Sequence, residues 1–254
     1  MMRAVTDTLL LTRRALREAI RQPGNEITNA FIPLFFYVVT VGAIGEVAKS
    51  SFGVADYKGF QLPVAILQGA AGVASGAGLA MTQDIQSGYF EKLLLTSTPR
   101  FAIVLGRMLS DTIKSMLLTI VIIALALLVG SGFKTGPVGM IALVVAAGGF
   151  ALAYSGIGMA IAIKTGSPQA AQAGFVLFFP LLFLAPTFAP LDVFADWLAA
   201  IARLNPVTYI LEGMRALIVS GWDGAALLKG GSAILGLAIL TSTMTVAAMR
   251  GRQK

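Results

Sequence analysis

Few side chains in this sequence have the types and spacing for chemistry. The densest group is Arg107, Asp111 and Lys114, at i, i+4 and i+7, so one carboxylate can pair with two cations on a single helix face. Such a trio either anchors a helix end at a membrane surface, with Lys114 snorkelling to the headgroups, or couples the helix to a movement. A second pair, Glu212 and Arg215, stands three residues apart and can satisfy itself. Neither group is a catalytic constellation. With His 0 and Cys 0 there is no imidazole base, no thiol nucleophile and no usual zinc or haem ligand. Nothing matches the phosphate-binding string G-x-x-x-x-G-K-[ST]; the nearest stretch, Gly158 to Lys164-Thr165, lacks the second Gly and is apolar. The sequence therefore offers no catalytic, cofactor-binding or metal-ligating residue. If ATP drives this protein, another chain binds it.

The elements that carry these charges follow from composition. Of 254 residues, 57% are in the set AVILMFWYC, another 28 are Gly, only 12% are charged, and the mean hydropathy is +0.83. That is more apolar surface than one soluble globule could bury, so the outside must face lipid. A helix rises ~1.5 Å per residue, so ~20 apolar residues cross a ~30 Å hydrocarbon core. Six segments qualify: about 27–45, 62–81, 101–130, 138–163, 170–189 and 230–249. The expectation is an all-α membrane protein with a single domain over residues 1–254. The third crosses from about Ser115 to Gly130, its helix beginning near Phe101, and on that reading no ionisable residue lies near the middle of a crossing, which argues against a proton-coupled carrier or an intramembrane protease.

Residues 1–24 read as an interfacial helix. Val5, Leu9, Leu16 and Ile20 form one stripe with Thr12 in its gap, Arg14, Arg17 and Arg21 line another face, and Pro23-Gly24 ends it. The net charge of +7 invites a nucleic-acid reading, but the charges fall at span ends, as topology signals and anionic-lipid contacts do. Of the 19 Lys and Arg, 13 fall on the side that carries both termini, which places the termini in the cytoplasm. Gly72 and Gly76 form G-x-x-x-G, which lets this helix approach another backbone closely.

Two connecting stretches carry further signals. Between the second and third spans, Tyr89 to Leu95 reads as a short amphipathic helix bounded by Gly88 and by Thr98-Pro99, suited to docking in a partner's groove. Between the fifth and sixth, Asn205 is a good N-cap and Pro206 suits a first helical turn, predicting a helix to about Ser220 that stops at Gly221.

These residues resemble a known family, the type-2 membrane subunits of ABC exporters, including the daunorubicin-resistance type of permease. The resemblance rests on Asp84, Gly88, Leu93-Leu94, Pro99 and Gly106-Arg107. It rests as well on Phe183, Phe188, Pro190 and Trp197, on Asn205-Pro206-Val207-Thr208-Tyr209, and on Glu212-x-x-Arg215. Ile85 and the Thr96-Ser97-Thr98 spacing depart from the family pattern. The resemblance implies a transport subunit, not an enzyme, in the cell (inner) membrane, with six spans, an N-terminal elbow helix, a cytoplasmic coupling helix and short re-entrant helices between spans five and six. Composition alone would allow those last helices to lie on the surface. It also implies two copies of a separate ATP-binding subunit that holds ATP and Mg, and a second permease, identical or similar. Docking to that subunit would fall to Arg14, Arg17, Asp84, Gly88, Tyr89, Glu91, Leu94 and Pro99, with Arg107, Asp111 and Lys114 as a coupling network. Pro186, Pro190, Asn205, Pro206, Tyr209, Glu212 and Arg215 would form the gate or outer region. The cargo implied is a hydrophobic or amphipathic molecule such as a drug, lipid or polyketide-like compound, moved outward as in multidrug efflux and antibiotic resistance. The alternative is an energy-independent or ion-coupled carrier or channel, for which the spans offer only scattered Gln68, Ser75, Thr119, Tyr154, Ser155 and Thr243.

Overall fold

The computed structural model describes residues 2–21 and 23–251; Arg252 and Lys254, counted above on the terminal side, lie outside them. Among the described residues there are ten α-helices and no strand. In chain order they are α1 (Met2–Arg21), α2 (Pro23–Ser51), α3 (Tyr57–Gln86), α4 (Tyr89–Leu94) and α5 (Arg100–Leu128), then α6 (Gly136–Thr165), α7 (Pro168–Phe183), α8 (Asp196–Leu204), α9 (Pro206–Arg215) and α10 (Gly224–Gly251). A 3-10 turn, Leu191–Val193, precedes α8, and a π-turn, Ala216–Ser220, extends α9 to Gly221, whose φ of +109° ends it. Five helices, α2, α3, α5, α6 and α10, are long and apolar enough to cross a membrane.

The sixth expected span is shorter than the sequence suggested. The helix α7 has 16 residues, ~24 Å of rise, and stops at Phe183 rather than near residue 189. Pro180 lies inside it, whereas Pro186 and Pro190 fall in the irregular segment that follows. The backbone freed by this early stop is satisfied by side chains, as an apolar environment demands. Thr187 Oγ1 donates to Leu182 O at 2.5 Å and Asn205 Nδ2 donates to Leu181 O at 2.5 Å.

The centre of the bundle is α3, packed against α2, α5, α6 and α7. Its apolar stretch is 67% buried, against 17% for α2 and for α10, whose outer faces are apolar and exposed. Leu62, Ile66 and Ala70 of α3 share the main core with Phe150 and Tyr154 of α6 and Phe178 of α7. Close backbone approach occurs two residues beyond the expected motif. A Cβ at Gly78 would lie 2.7 Å from Gly158 O, and Gly174 faces Gly158 in turn, so α3, α6 and α7 meet at three glycines. At Gly76 a Cβ would meet nothing within 4 Å.

Candidate functional site

The site builds up at the end of α3 that leads into α4. Gly106 on α5 lets α1 lie flush against it: a Cβ there would sit 2.7 Å from Leu11 Cβ and 3.1 Å from Thr8 O. Thr12 turns into this contact and donates to Gly106 O at 3.0 Å, leaving Val5, Leu9 and Ile20 as the exposed apolar stripe. The flush packing sets Arg107 beside the charges of two other helices. Its guanidinium lies 3.3 Å from Glu18 Oε2 on α1 and 3.6 Å from Asp84 Oδ2 in the last turn of α3. Arg14 completes a ring, 3.0 Å from Asp84 Oδ1 and 2.7 Å from Glu18 Oε1. Burial pulls the Arg14 pKa down, but the hydrogen bond and charge of Asp84, with Glu18 and Tyr89 behind them, reverse this and hold it above the ordinary arginine value.

The ring reaches α4 through one more contact. The Arg14 guanidinium lies 3.7 Å over the ring of Tyr89, the first residue of α4. Gly88, with φ +70°, supplies the left-handed turn that separates α4 from α3. Phe90 is buried among Met81, Ile103, Met108 and Met159, which seats α4 on the bundle. Its other face looks outward: Glu91 is exposed and Leu94 and Leu95 are 37% and 89% exposed. Pro99 caps the start of α5, and Arg17 is exposed on α1.

Asp111 pairs with only one of the two cations expected. Lys114 Nζ lies 2.7 Å from Asp111 Oδ1 and 3.5 Å from Glu26 Oε1 on α2, whereas Arg107 is taken by Glu18 and Asp84. Asp111 and Lys114 are also not at a helix end. They sit 11 and 14 residues into the 29 of α5, because that helix runs on past the expected surface. Both line a groove of about 650 Å³ whose floor is α3 from Gly72 to Asp84 and whose walls are α1, α2, α5 and α7.

The opposite end of α3 holds the other predicted group. Arg215, 9% exposed, donates from Nε to Phe60 O at 2.9 Å and from Nη2 to Pro186 O at 2.6 Å, with its guanidinium 3.5 Å over the Phe60 ring. No ion pair joins it to Glu212 among the described residues, which corrects the pairing expected from their spacing. Tyr57 donates to Phe188 O at 3.1 Å, Asn205 accepts from Val207 N at 3.0 Å in the cap ahead of Pro206, and Tyr209 donates to Arg203 O at 2.5 Å. Sequence reasoning missed Glu18, Glu26 and Tyr57. For Glu18 the signal was present, since it stands four residues after Arg14.

Among the described residues the structure is an all-helical bundle with apolar outer helices and a short helix seated on one end, as a multi-pass membrane protein requires. The profile of the ABC-2 type transporter family matches residues 6–219, and the chain belongs to that family. It is a permease subunit, a non-catalytic and multi-pass integral membrane component. It is 23% identical over 224 residues, covering 87% of this chain and 78% of the relative, to the daunorubicin resistance ABC transporter permease protein DrrB1 of Streptomyces coeruleorubidus. It is 26% identical over 221 residues, 84% of this chain and 74% of the relative, to the putative transport permease ycf38 of Cyanophora paradoxa. The probable doxorubicin resistance ABC transporter permease protein DrrC of Mycobacterium tuberculosis is 20% identical over 219 residues, 85% of this chain and 78% of its own.

Proposed function

We propose that this permease works in an ATP-driven exporter, with two copies of a separate ATP-binding subunit that bind ATP and Mg. A second permease, identical or similar, completes it. The observation that carries the reading is α4, seated by Phe90 and presenting Glu91, Leu94 and Leu95 outward, with Arg17 exposed on α1. A short helix held this way can receive motion from a docked partner. Arg14 then relays it, since the same guanidinium touches Tyr89 of α4 and Asp84 of α3, and Arg107 extends the link to α5. The site residues divide accordingly. Arg14, Arg17, Asp84, Gly88, Tyr89, Glu91, Leu94 and Pro99 serve docking, and Arg107, Asp111 and Lys114 serve coupling. Pro186, Pro190, Asn205, Pro206, Tyr209, Glu212 and Arg215 form the outer, re-entrant region. In this reading α7 is the fifth of six spans, both termini are cytoplasmic, and the chain lies in the cell (inner) membrane. The cargo is hydrophobic or amphipathic, as the resistance named for two relatives suggests.

The test is co-purification in mild detergent with a candidate ATP-binding subunit, followed by vanadate-sensitive ATP hydrolysis with and without this chain. A stable complex with altered hydrolysis is expected. Transport by this chain alone in liposomes, with no complex, would replace the reading with a carrier.

A further inference from the structure

A second set of arginines on α1 stands outside the ring. Spacing alone sets Arg14, Arg17 and Arg21 on one face, but Arg14 turns to Asp84 and Glu18, and Thr12, bonded to Gly106 O, fixes that rotation of the helix. Arg13, Arg17 and Arg21 are left pointing away from the bundle. All three are exposed, and none makes an ion pair with a described residue. Recurring every fourth residue, they form a row ~12 Å long on one side of the helix. The row and the ring share a helix but not a face.

Position and neighbours decide what meets this row. The first candidate span begins at Glu26, five residues after Arg21, so the row ends at the membrane surface. Along the same outward side Val5, Leu9, Leu10 and Ile20 are each more than half exposed. On a helix that runs into a span, apolar side chains so exposed are covered by acyl chains, which sets the guanidiniums beside them at the level of the headgroups. A guanidinium offers a planar fork of donors that matches two phosphate oxygens. Three of them without carboxylate partners call for negative charge from outside the chain. A zwitterionic headgroup offsets its phosphate with its own cation, whereas an anionic one leaves that charge to the protein.

We infer that Arg13, Arg17 and Arg21 form a binding strip for the phosphates of anionic phospholipids, with Val5, Leu9, Leu10 and Ile20 set among the acyl chains. A plain amphipathic anchor would accept any lipid; this strip selects headgroup charge. Binding requires this chain alone, whatever drives transport. Arg17 lies in the middle of the row and also in the proposed docking surface, so the test spares it.

The experiment titrates the purified full chain in mild detergent with phosphatidylglycerol and, separately, with phosphatidylcholine of the same acyl chains, and follows the tightest-bound lipid by native mass spectrometry. Each basic side chain near an anionic headgroup is worth about fivefold in affinity, so the wild type should hold phosphatidylglycerol at least about tenfold more tightly than phosphatidylcholine. Arg13→Gln combined with Arg21→Gln should weaken phosphatidylglycerol about twentyfold and leave phosphatidylcholine unchanged. Arg100→Gln combined with Lys164→Gln removes the same charge from two exposed positions, on helix ends that lie towards α4, and should weaken it less than about twofold. Equal affinities for the two lipids in the wild type would overturn the strip. So would equal losses in the two double variants, which would spread the charge effect over the whole surface. Undiminished phosphatidylglycerol binding in Arg13→Gln with Arg21→Gln would overturn it as well, and loss of the ATP-binding subunit from that variant would then give the row to the subunit. Co-purification of the wild type with the subunit is a separate measurement, so failure of the strip and failure of the transport reading stay distinguishable.

Discussion

Each end of α3 buries an arginine, and the two are held in opposite ways. At the α4 end Arg107 meets the side chains of Glu18 and Asp84 at 3.3 and 3.6 Å, and Glu18 is itself 38% exposed. Those partners can rotate, and water can replace one of them, so the pairing can be remade. At the other end Arg215 meets the carbonyls of Phe60 and Pro186, acceptors that the backbone fixes, and stacks on the Phe60 ring. A planar fork suits two fixed carbonyls as an ammonium does not. The difference tracks what each end must do. Where α7 stops short, its loop carbonyls need permanent donors; where α1, α3, α4 and α5 converge, side-chain pairs join elements that remain separable.

The largest effect should come from removing the fixed clamp. Arg215→Leu leaves the Pro186 carbonyl without its donor, while Phe60 O keeps the helical bond from Val64, and it removes the stacking on Phe60; at about 1–3 kcal/mol for the carbonyl, a loss of about 2 kcal/mol is expected in thermal unfolding of the purified protein. Arg215→Lys should recover less than half of it. A melting temperature equal to wild type in Arg215→Leu would break the comparison at its stronger side.

Removing the remakeable contact should cost less and depend on salt. Arg107→Met should lower stability by about 1 kcal/mol, because Glu18 can turn to solvent and Asp84 keeps Arg14. Near 1 M salt, where the Debye length is about 3 Å, the penalty should shrink for Arg107→Met and stay constant for Arg215→Leu. Parallel melts at low and high salt check this, and equal salt responses would show that the two arginines are held alike.

This contrast could not have been read from the sequence, and the reason is geometric. Spacing along one helix predicts partners on that helix, and it gave Asp111 with Lys114 correctly. It also gave Asp111 with Arg107 and Glu212 with Arg215, and there long-range packing won: Arg107 reaches a residue 89 positions earlier and Arg215 one 155 positions earlier. Helix starts were legible because Asn205, Pro206, Gly88 and Pro99 act through their own backbone preferences. The early end of α7 was not, because the apolar run continues past Phe183 and its open carbonyls are met by Thr187 in the segment that follows and by Asn205 and Arg215 from farther along the chain. The groove was invisible for the same reason, being assembled from five helices that no local pattern brings together.

The smallest effect on stability, and the one most specific to the α4 end, belongs to Glu91. It is exposed on the outward face of α4, whose hold on the bundle comes from Phe90 on the inward face. Glu91→Arg should therefore change stability by less than about 0.5 kcal/mol. If α4 is where a partner's motion enters, reversing a charge on its outer face should still weaken co-purification with the ATP-binding subunit and lower the hydrolysis that this chain stimulates. A variant that melts normally but loses the subunit places Glu91 in the interface. One that keeps both subunit and hydrolysis removes Glu91 from it and leaves docking to Leu94, Leu95 and Arg17.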